Sequence, residues 1–283
     1  MVWRRSWLRA GLLLTPPLLW LVLMYLAALA VLFVSAFWSV DSFTGELVKV
    51  WNIDNFRTLV ESSTYRTIAL RTIGIAAAVT VTDAVLAIPF AYFMARVASA
   101  RTRAALFVLV LVPLWSSYLV RVYAWRLILA KDGALNWLLD GVGLPTVGVA
   151  YSNWAMWIVF SYIWLPFMIL PVYAALERIP DSYLEASRDL GAKGWQTTRR
   201  IVLPLALPGV VAGSIFTFSL TLGDYITPKL VGGPSSQFIG NVVFDNVGVS
   251  NNVPFAAAFA VVPVLVMGIY LVLARRLGAF EAL

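Results

Sequence analysis

Long apolar segments alternate with short polar segments along this chain. Six of the apolar segments reach about 20 residues, the length that a helix needs to cross a lipid bilayer. They cover approximately residues 11–38, 72–95, 104–129, 151–176, 202–223 and 253–274. The pattern predicts an all-α integral membrane protein in which residues 1–283 form a single transmembrane domain with six spans.

The composition supports a membrane protein and excludes several classes of enzyme. Hydrophobic residues make up 61% of the sequence and charged residues 12%, whereas soluble domains carry about 25% charged residues. The chain has no cysteine and no histidine, which excludes disulfides, thiol chemistry, most zinc sites and catalytic triads that need imidazole. The 12 tryptophans and 11 tyrosines suit a protein with two membrane interfaces.

The net charge of +7 arises from short basic clusters between the apolar segments, a placement typical of membrane topology and not of nucleic-acid binding. Arg4, Arg5 and Arg9 precede the first segment, which exceeds the about 7–15 apolar residues of a cleaved signal peptide. With both termini in the cytoplasm, 13 of the 21 Lys and Arg residues fall on the cytoplasmic side and 8 elsewhere. The positive-inside rule therefore predicts that both termini are cytoplasmic.

The polar segment between the fourth and fifth spans predicts a further helix. Pro180 ends the preceding helix, and Ser182 followed three residues later by Glu185 has the spacing of a capping box, which begins a new one. Gly191 or Gly194 can end that helix in a left-handed conformation. The sequence thus predicts a pair of short helices along the cytoplasmic face. These residues also allow a purely local role, in which Glu185 only caps and Gly191 only turns the chain.

The same segment contains a spaced motif with small residues near its start. Glu185-Ala186-Ser187 is followed by Gly191 and then by Ile201-Val202-Leu203-Pro204. This spacing resembles the EAA signature of ABC importer permeases, with Ser187 in place of the usual second alanine. The resemblance implies that residues 181–204 form the coupling loop that docks on an ATPase subunit. The docking residues that it implies are Glu185, Ala186, Ser187, Gly191, Ile201, Leu203 and Pro204.

Three further stretches narrow the resemblance. Residues 112–125, 165–171 and 222–234 are similar to motifs of the B-type permease subunit of spermidine/putrescine importers. The resemblance implies the type I ABC importer permease fold, with six transmembrane helices plus a cytoplasmic coupling helix, in a bacterial cytoplasmic (inner) membrane. These motifs distinguish the B-type from the C-type subunit better than they distinguish polyamines from related solutes, because importers of those solutes share the motifs.

The energy source and the partners follow from what the chain lacks and from the resemblance. The ATP-binding pattern Gly-x-x-x-x-Gly-Lys-Ser/Thr does not occur, and the Gly-rich stretch 231–236 has no lysine. We therefore expect no catalysis and no cofactor in this chain, with ATP and Mg²⁺ on a separate ABC ATPase dimer. The resemblance implies a second homologous permease of the C type and a periplasmic or lipid-anchored solute-binding protein. Membrane lipids would surround the complex, and no nucleic acid is expected.

A polyamine would need carboxylates for its ammonium groups and aromatic faces for cation–π contacts. Asp83 is the one acid within a span, so we expect it to face the bundle interior or water. The candidates for the substrate pathway are Asp83, Trp115, Tyr118, Tyr162, Asp224 and Tyr225. Each also has a structural alternative, as a paired or solvated carboxylate or as an aromatic anchor. Arg121 and Arg126 would repel a polycation, so we expect them to reach the outer interface or to pair with acids.

Three other functions remain open at this point. An importer of the same architecture for sulfate, iron(III) or an opine would keep the EAA loop, and an anionic solute would make Arg121 and Arg126 attractive. A secondary transporter or channel would leave the EAA spacing unexplained and would act without an ATPase. A membrane-embedded enzyme would have to work without histidine, cysteine or a pair of carboxylates at membrane depth.

Overall fold

The computed structural model describes residues 6–41 and 43–276. Arg4 and Arg5, which enter the predicted orientation, lie outside this part of the chain. The described residues form α-helices α1 Ser6–Leu21, α2 Ala27–Ser35, α3 Asp54–Glu61, α4 Ser63–Tyr92, α5 Ala100–Trp115, α6 Tyr118–Leu129, α7 Ala134–Gly141, α8 Asn153–Glu177, α9 Asp181–Asp189, α10 Gly194–Thr197, α11 Leu203–Leu222, α12 Ile239–Gly248 and α13 Val253–Arg276. Two short strands are β1 Ser39–Val40 and β2 Leu47–Val48. Turns with π-helical geometry occupy Val22–Leu26, Phe93–Val97, Thr198–Val202 and Pro228–Gly232.

Five helical stretches of the described chain are long and apolar enough to cross a membrane. They are Ala10–Ser35, Ser63–Val97, Asn153–Glu177, Gly194–Leu222 and Val253–Arg276. They coincide with the first, second, fourth, fifth and sixth predicted segments. α5 and the stretch Tyr118–Gly141 reach the same length and hydropathy only together, and they meet at a bend of 95°. Counted as one broken span, this pair brings the number to six.

The bend divides the segment 104–129, for which the sequence predicts one membrane-crossing helix. Pro113 lies in the last turn of α5, where its missing N–H removes one bond from the helical ladder. The hydroxyl of Ser116 donates to the Pro113 carbonyl at 2.7 Å, and its N–H does so at 3.2 Å. Ser116 and Ser117 then adopt extended backbone with ψ of 150° and 135°. A side-chain bond that competes with the helical ladder thus ends α5 before α6 begins.

The chain divides into two compact units, which we describe separately. The first contains the residues up to Ser63 and Val242–Val262, and the second contains Thr64–Asn241 and the residues from Pro263. In the first unit β1 and β2 pair antiparallel, a hairpin that the sequence reading did not predict. Its turn is held by Asp41, whose Oδ1 accepts from the N–H groups of residues 43 and 44 at 2.8 Å. The side chain of Asn55 donates to the carbonyls at 36 and 38, and thereby fastens α3 to the end of α2.

α8 forms the centre of the second unit and packs closely along α11. Two glycines of α11 allow this approach. A Cβ on Gly209 would lie 2.5 Å from the Ala175 Cβ, and one on Gly213 would lie 2.7 Å from the Met168 Sδ. α4 and the turn after it belong to the same core, with Ala87 and Ala91 of α4 and Met94 of the turn buried in one cluster with α8. This packing brings the polar ends of α4, α8 and α11 together at one end of the unit.

Candidate functional site

The segment after α8 forms the predicted pair of short helices, α9 and α10. α9 begins at Asp181, one residue before the predicted start, with Pro180 as its N-cap and no side-chain cap. The predicted capping box of Ser182 and Glu185 is therefore wrong, because Pro180 already sets the chain in extended backbone (φ −64°, ψ 139°) ahead of the helix. Gly191 has φ +73°, which confirms the predicted left-handed residue after the helix.

A hydroxyl pair joins α9 to α10. Ser187 is 5% exposed, and its Oγ lies 2.7 Å from the Oγ1 of Thr197. The serine that replaces the usual alanine thus points inward and fixes the angle between the two helices. The N–H of Lys193 donates to the Oε1 of Gln196 at 2.8 Å, which starts α10. The outer surface of α9 remains exposed, including Glu185 and Ala186.

Five of the seven EAA residues line one cleft of about 810 Å³ beside α9. They are Ala186, Ser187, Gly191, Ile201 and Pro204. Glu185 and Leu203 are not among its lining residues. Glu185 stands on the exposed face of α9, and Leu203 is half-buried at the start of α11. The loop therefore gathers EAA residues that lie up to 18 positions apart in sequence into one surface feature.

A second polar cluster lies where α6 meets the end of α11. The hydroxyl of Tyr118 donates to the Oδ2 of Asp224 and lies 2.6 Å from the Oγ1 of Thr227. Asp224 Oδ1 accepts from the N–H groups of Ile226 and Thr227 at 2.7 and 3.1 Å. Burial holds the pKa of the Asp224 carboxyl above its usual value, although the hydrogen bonds from Tyr118, Thr227 and Ile226 act in the opposite direction. This geometry unites two of the predicted pathway residues that are 106 positions apart.

Two further residues extend this cluster. Trp164 of α8 stacks on Tyr118, with ring centroids 5.7 Å apart and planes 15° from parallel. The Arg121 guanidinium lies 5.9 Å from the centroid of the Tyr118 ring. Its Nε and Nη1 are buried without a hydrogen-bond partner among the described residues. Arg121 stands one helical turn after Tyr118 in α6, whereas Trp164 reaches Tyr118 from α8.

The remaining pathway candidates do not join this cluster directly. Trp115 is 83% exposed at the end of α5, and Tyr162 packs on Trp125 with centroids 5.2 Å apart. The backbone carbonyl of Tyr225 accepts a 2.7 Å hydrogen bond from the Asn241 side chain. Asp83 is fully buried, and neither of its carboxylate oxygens has a hydrogen-bond partner in the described part of the chain.

One arginine that no sequence motif singles out binds the junction between α8 and α9. Arg96 lies in the π-helical turn after α4, and its Nη1 is 2.7 Å from the Asp181 Oδ1. Its Nη2 donates to the carbonyl of Leu176 at 2.6 Å and also to the carbonyl of Ile179. No local motif marks this residue, because its partners lie 80 to 85 positions away.

Similarity to known proteins shows the family of this chain. The family model described as "Binding-protein-dependent transport system inner membrane component" matches residues 87–279. This range contains α8, the EAA loop and α11. The chain belongs to this permease family. The predicted family is thereby confirmed, and the permease is a multi-span membrane protein of a kind found in the bacterial inner membrane.

Individual relatives of this permease include two from Escherichia coli (strain K12). The inner membrane ABC transporter permease protein YdcU is 47% identical over 99% of this chain and 93% of its own length. The spermidine/putrescine transport system permease protein PotB is 34% identical over 80% of this chain and 82% of its own. A bacterial ABC transporter involved in the import of the acidic polysaccharide alginate contains a chain that superposes with a TM-score of 0.73. That chain is 22% identical, with 96% of each covered, and it shows the fold alone. The all-α, type I importer permease fold is confirmed.

Proposed function

We propose that this permease forms half of the translocation pathway of an ATP-driven importer, with polyamines such as spermidine or putrescine as its solutes. The observation that carries the proposal is the α9 cleft, which gathers five EAA residues beside the exposed Glu185. Surface residues gathered in this way suit the docking of a separate subunit. The identity of 34% to the spermidine/putrescine relative supports the solute class.

The proposed partners are an ABC ATPase dimer, a second permease of the C type and a solute-binding protein. The ATPase binds ATP and Mg²⁺, so this chain contributes no catalytic group. We place both termini and α9 on the cytoplasmic side, supported by the excess of basic residues in the segments on that side. The EAA residues then face the compartment that contains ATP.

The proposed mechanism is alternating access. ATP binding closes the ATPase dimer and draws the coupling helices of the two permeases together. The outer ends of the third and fifth spans separate, and the binding protein releases its solute into the cavity. Hydrolysis of ATP restores the inward-facing state. ATP acts here as a ligand that favours one of two conformations, and the coupling loop transmits that preference.

Within this mechanism, Asp224 and Tyr118 form the outer part of the substrate pathway. The carboxylate attracts an ammonium group, and the stacked rings of Tyr118 and Trp164 offer an aromatic face. Trp115, Tyr162 and Tyr225 are further aromatic candidates along the pathway. Asp83 is fully buried, so a solute would reach it only in a conformation in which α4 and α8 have moved apart.

A second solute class is favoured by one specific observation. Arg121 beside Tyr118 has two buried nitrogens without a hydrogen-bond partner among the described residues. An anionic group of a solute would satisfy these donors, since a guanidinium suits carboxylate, sulfate and phosphate. An importer for such a solute would keep the same EAA loop and ATPase.

The deciding experiment measures ATP hydrolysis by the complete complex in lipid. The solute-binding protein is added with spermidine, with putrescine or with sulfate as an anion control. Stimulation by a polyamine and not by sulfate would support both the coupling role and the solute class. Stimulation by sulfate alone would move the solute class to anions, and failure to assemble with any ATPase would overturn the importer itself.

A further inference from the structure

Arg96 contacts three groups that belong to the junction between α8 and α9. Its side chain is 13% exposed, although its acidic partner Asp181 is 78% exposed. The guanidinium is thus held inside the protein by its carbonyl contacts, and only the ion pair reaches the surface. Exposed ion pairs alone contribute little, so the carbonyls of Leu176 and Ile179 are the important partners.

At the end of α8, the Leu176 carbonyl accepts from Arg96 at 2.6 Å and from the Ile179 N–H at a longer 3.4 Å, and the Ile179 carbonyl also accepts from Arg96. The last carbonyls of a helix have no partner within the helix, and buried ones need another donor. Leu176 is 1% exposed and Ile179 is 6% exposed, so water does not readily replace the guanidinium. Arg96 comes from the π-helical turn that continues α4, and neither is adjacent to α9 in sequence. The orientation of α9 relative to α8 is therefore fixed from α4.

A second arginine continues the connection to α5. The Nε of Arg103 donates to the carbonyl of Met94 at 3.0 Å, and its Nη2 donates to the carbonyl of Ala95 at 3.4 Å. Both acceptors belong to the same π-helical turn as Arg96. This turn is thus bound on one side to α5 and on the other side to the start of α9.

We propose that Arg96 is a positioning residue that makes the end of α4 move together with the coupling helix α9. The inference rests on the proposed docking of α9 to an ATPase. In sequence, α9 is joined only to α8 and, through α10, to α11. Arg96 adds α4 and, through Arg103, α5, whose continuation beyond the bend is α6 with Tyr118. Movement of α9 is then transmitted to the helices of the proposed outer part of the pathway by side-chain contacts as well as by the covalent connection along the chain.

The first test measures a distance and does not depend on the solute. Because the chain has no cysteine, spin labels can be placed at Val97→Cys and Ser182→Cys without first removing a native cysteine from it. In the complete complex in lipid, we expect one narrow distance distribution that is the same without nucleotide and with ATP and vanadate. In Arg96→Gln we expect a broader distribution that shifts with nucleotide. An unchanged narrow distribution in Arg96→Gln would overturn the proposal.

The second test measures spermidine uptake and ATP hydrolysis on the same proteoliposomes. We expect Arg96→Gln to lower uptake per ATP by about tenfold, the factor that matches one lost charge-assisted hydrogen bond. Arg96→Lys should lose less, because it keeps the charge but not the planar fork. Arg57→Gln, which removes an exposed ion pair with Glu61, serves as the control and should leave the ratio unchanged. An equal ratio in Arg96→Gln and Arg57→Gln would contradict the proposal.

Co-purification of the ATPase separates this inference from the proposed function. All three Arg96 and Arg57 variants should retain the ATPase, because Arg96 does not line the α9 cleft. Loss of the ATPase from the unmodified complex would overturn the proposed function instead. If Arg96→Gln fails to assemble, Arg96→Lys tests the same link, because it keeps the charge and lacks the planar fork that reaches the two carbonyls. It should broaden the distance distribution by a smaller amount, and an unchanged narrow distribution would overturn the proposal.

Discussion

The two ends of α11 differ in how their polar groups are held. At its start, the EAA loop exposes Glu185 and Ala186, two of its proposed docking residues, and its internal hydroxyls and amides are paired locally. After its end, Asp224 and Tyr118 are joined across 106 positions, and Arg121 beside them has buried donors without partners among the described residues. α11 has 20 residues, so about 30 Å of helix separates these regions.

Among the described residues, the EAA loop has its buried polar groups paired within this chain, and the cluster at Asp224 does not. The EAA loop has a satisfied interior and an open face, the arrangement expected of a surface that awaits a protein partner. The cluster at Asp224 has a mixture of paired and unpaired buried groups, which is costly in an apolar surrounding unless a ligand or a partner completes it. The two regions therefore call for different tests, the first on assembly and the second on stability and solute preference.

The largest effect is expected from Glu185→Lys on the exposed face of α9. Reversal of this charge should weaken ATPase binding by about a hundredfold or more, because like charges facing each other in an interface cost several kcal/mol. The measurement is co-purification of the ATPase and its affinity for the permease pair in lipid. The protein should remain folded, since Glu185 is exposed.

Glu46→Lys supplies the matched control for Glu185→Lys. It reverses another exposed acid, in the β1–β2 hairpin of the first unit, and should leave ATPase binding unchanged. Normal assembly and transport in Glu185→Lys would show that the docking assignment of the EAA loop is wrong.

The next largest effect is expected from Gly209→Ala, where α11 packs closely on α8. Gly209→Ala would place its Cβ 2.6 Å from the Pro171 carbonyl oxygen, which the backbone of α8 cannot easily avoid. We expect a loss of about 1–3 kcal/mol in the free energy of unfolding, typical of overpacking. Gly268→Ala in α13 has open space around it and should be neutral or stabilising. Thermal unfolding followed by tryptophan fluorescence distinguishes them, and equal midpoints would contradict the close packing of α8 on α11.

The sequence predicted much more of the first region than of the second. The EAA residues lie within about 20 positions, so a resemblance to one local motif was enough to single out the loop. Of the two glycines expected as the left-handed residue, Gly191 adopts that conformation. The capping box failed because Pro180 sets the start of α9 without a side chain from Ser182. The bend in the third segment was missed as well, since the two helices on either side of Ser116 and Ser117 together have the length and hydropathy of one span.

Long-range partners explain the rest of what the sequence could not provide. Asp224 and Tyr118 were both named as candidates, but nothing local shows that they form a hydrogen bond. Arg96 was counted only as a positive charge, because its partners belong to a helix end 80 or more positions away. Trp164 likewise acquires its place beside Tyr118 only through the packing of α8.

A smaller effect is expected from Tyr118→Phe in the second region. The change removes the hydroxyl that donates to Asp224 and leaves the ring that stacks on Trp164. We expect a loss of about 1 kcal/mol in the free energy of unfolding, because Asp224 keeps its two backbone donors. Tyr123→Phe, on a half-exposed ring of the same helix, is the matched control. A midpoint for Tyr118→Phe equal to that of Tyr123→Phe would mean that this hydrogen bond does not stabilise the cluster.

The smallest effect, and the one that bears most directly on the solute, is expected from Arg121→Gln. If the carried solute is a polycation, loss of this charge should raise spermidine uptake about two- to fivefold, which corresponds to about 0.5–1 kcal/mol for a partly screened pair. Arg126→Gln is the control, because its guanidinium lies 5.8 Å from the Tyr151 ring and not beside Tyr118. Uptake of spermidine and of sulfate is measured on the same proteoliposomes. A fall in sulfate uptake in Arg121→Gln alone would identify the unpaired guanidinium as part of an anion site. The Asp224 cluster would then hold the outer end of α11 in place and would not bind the solute.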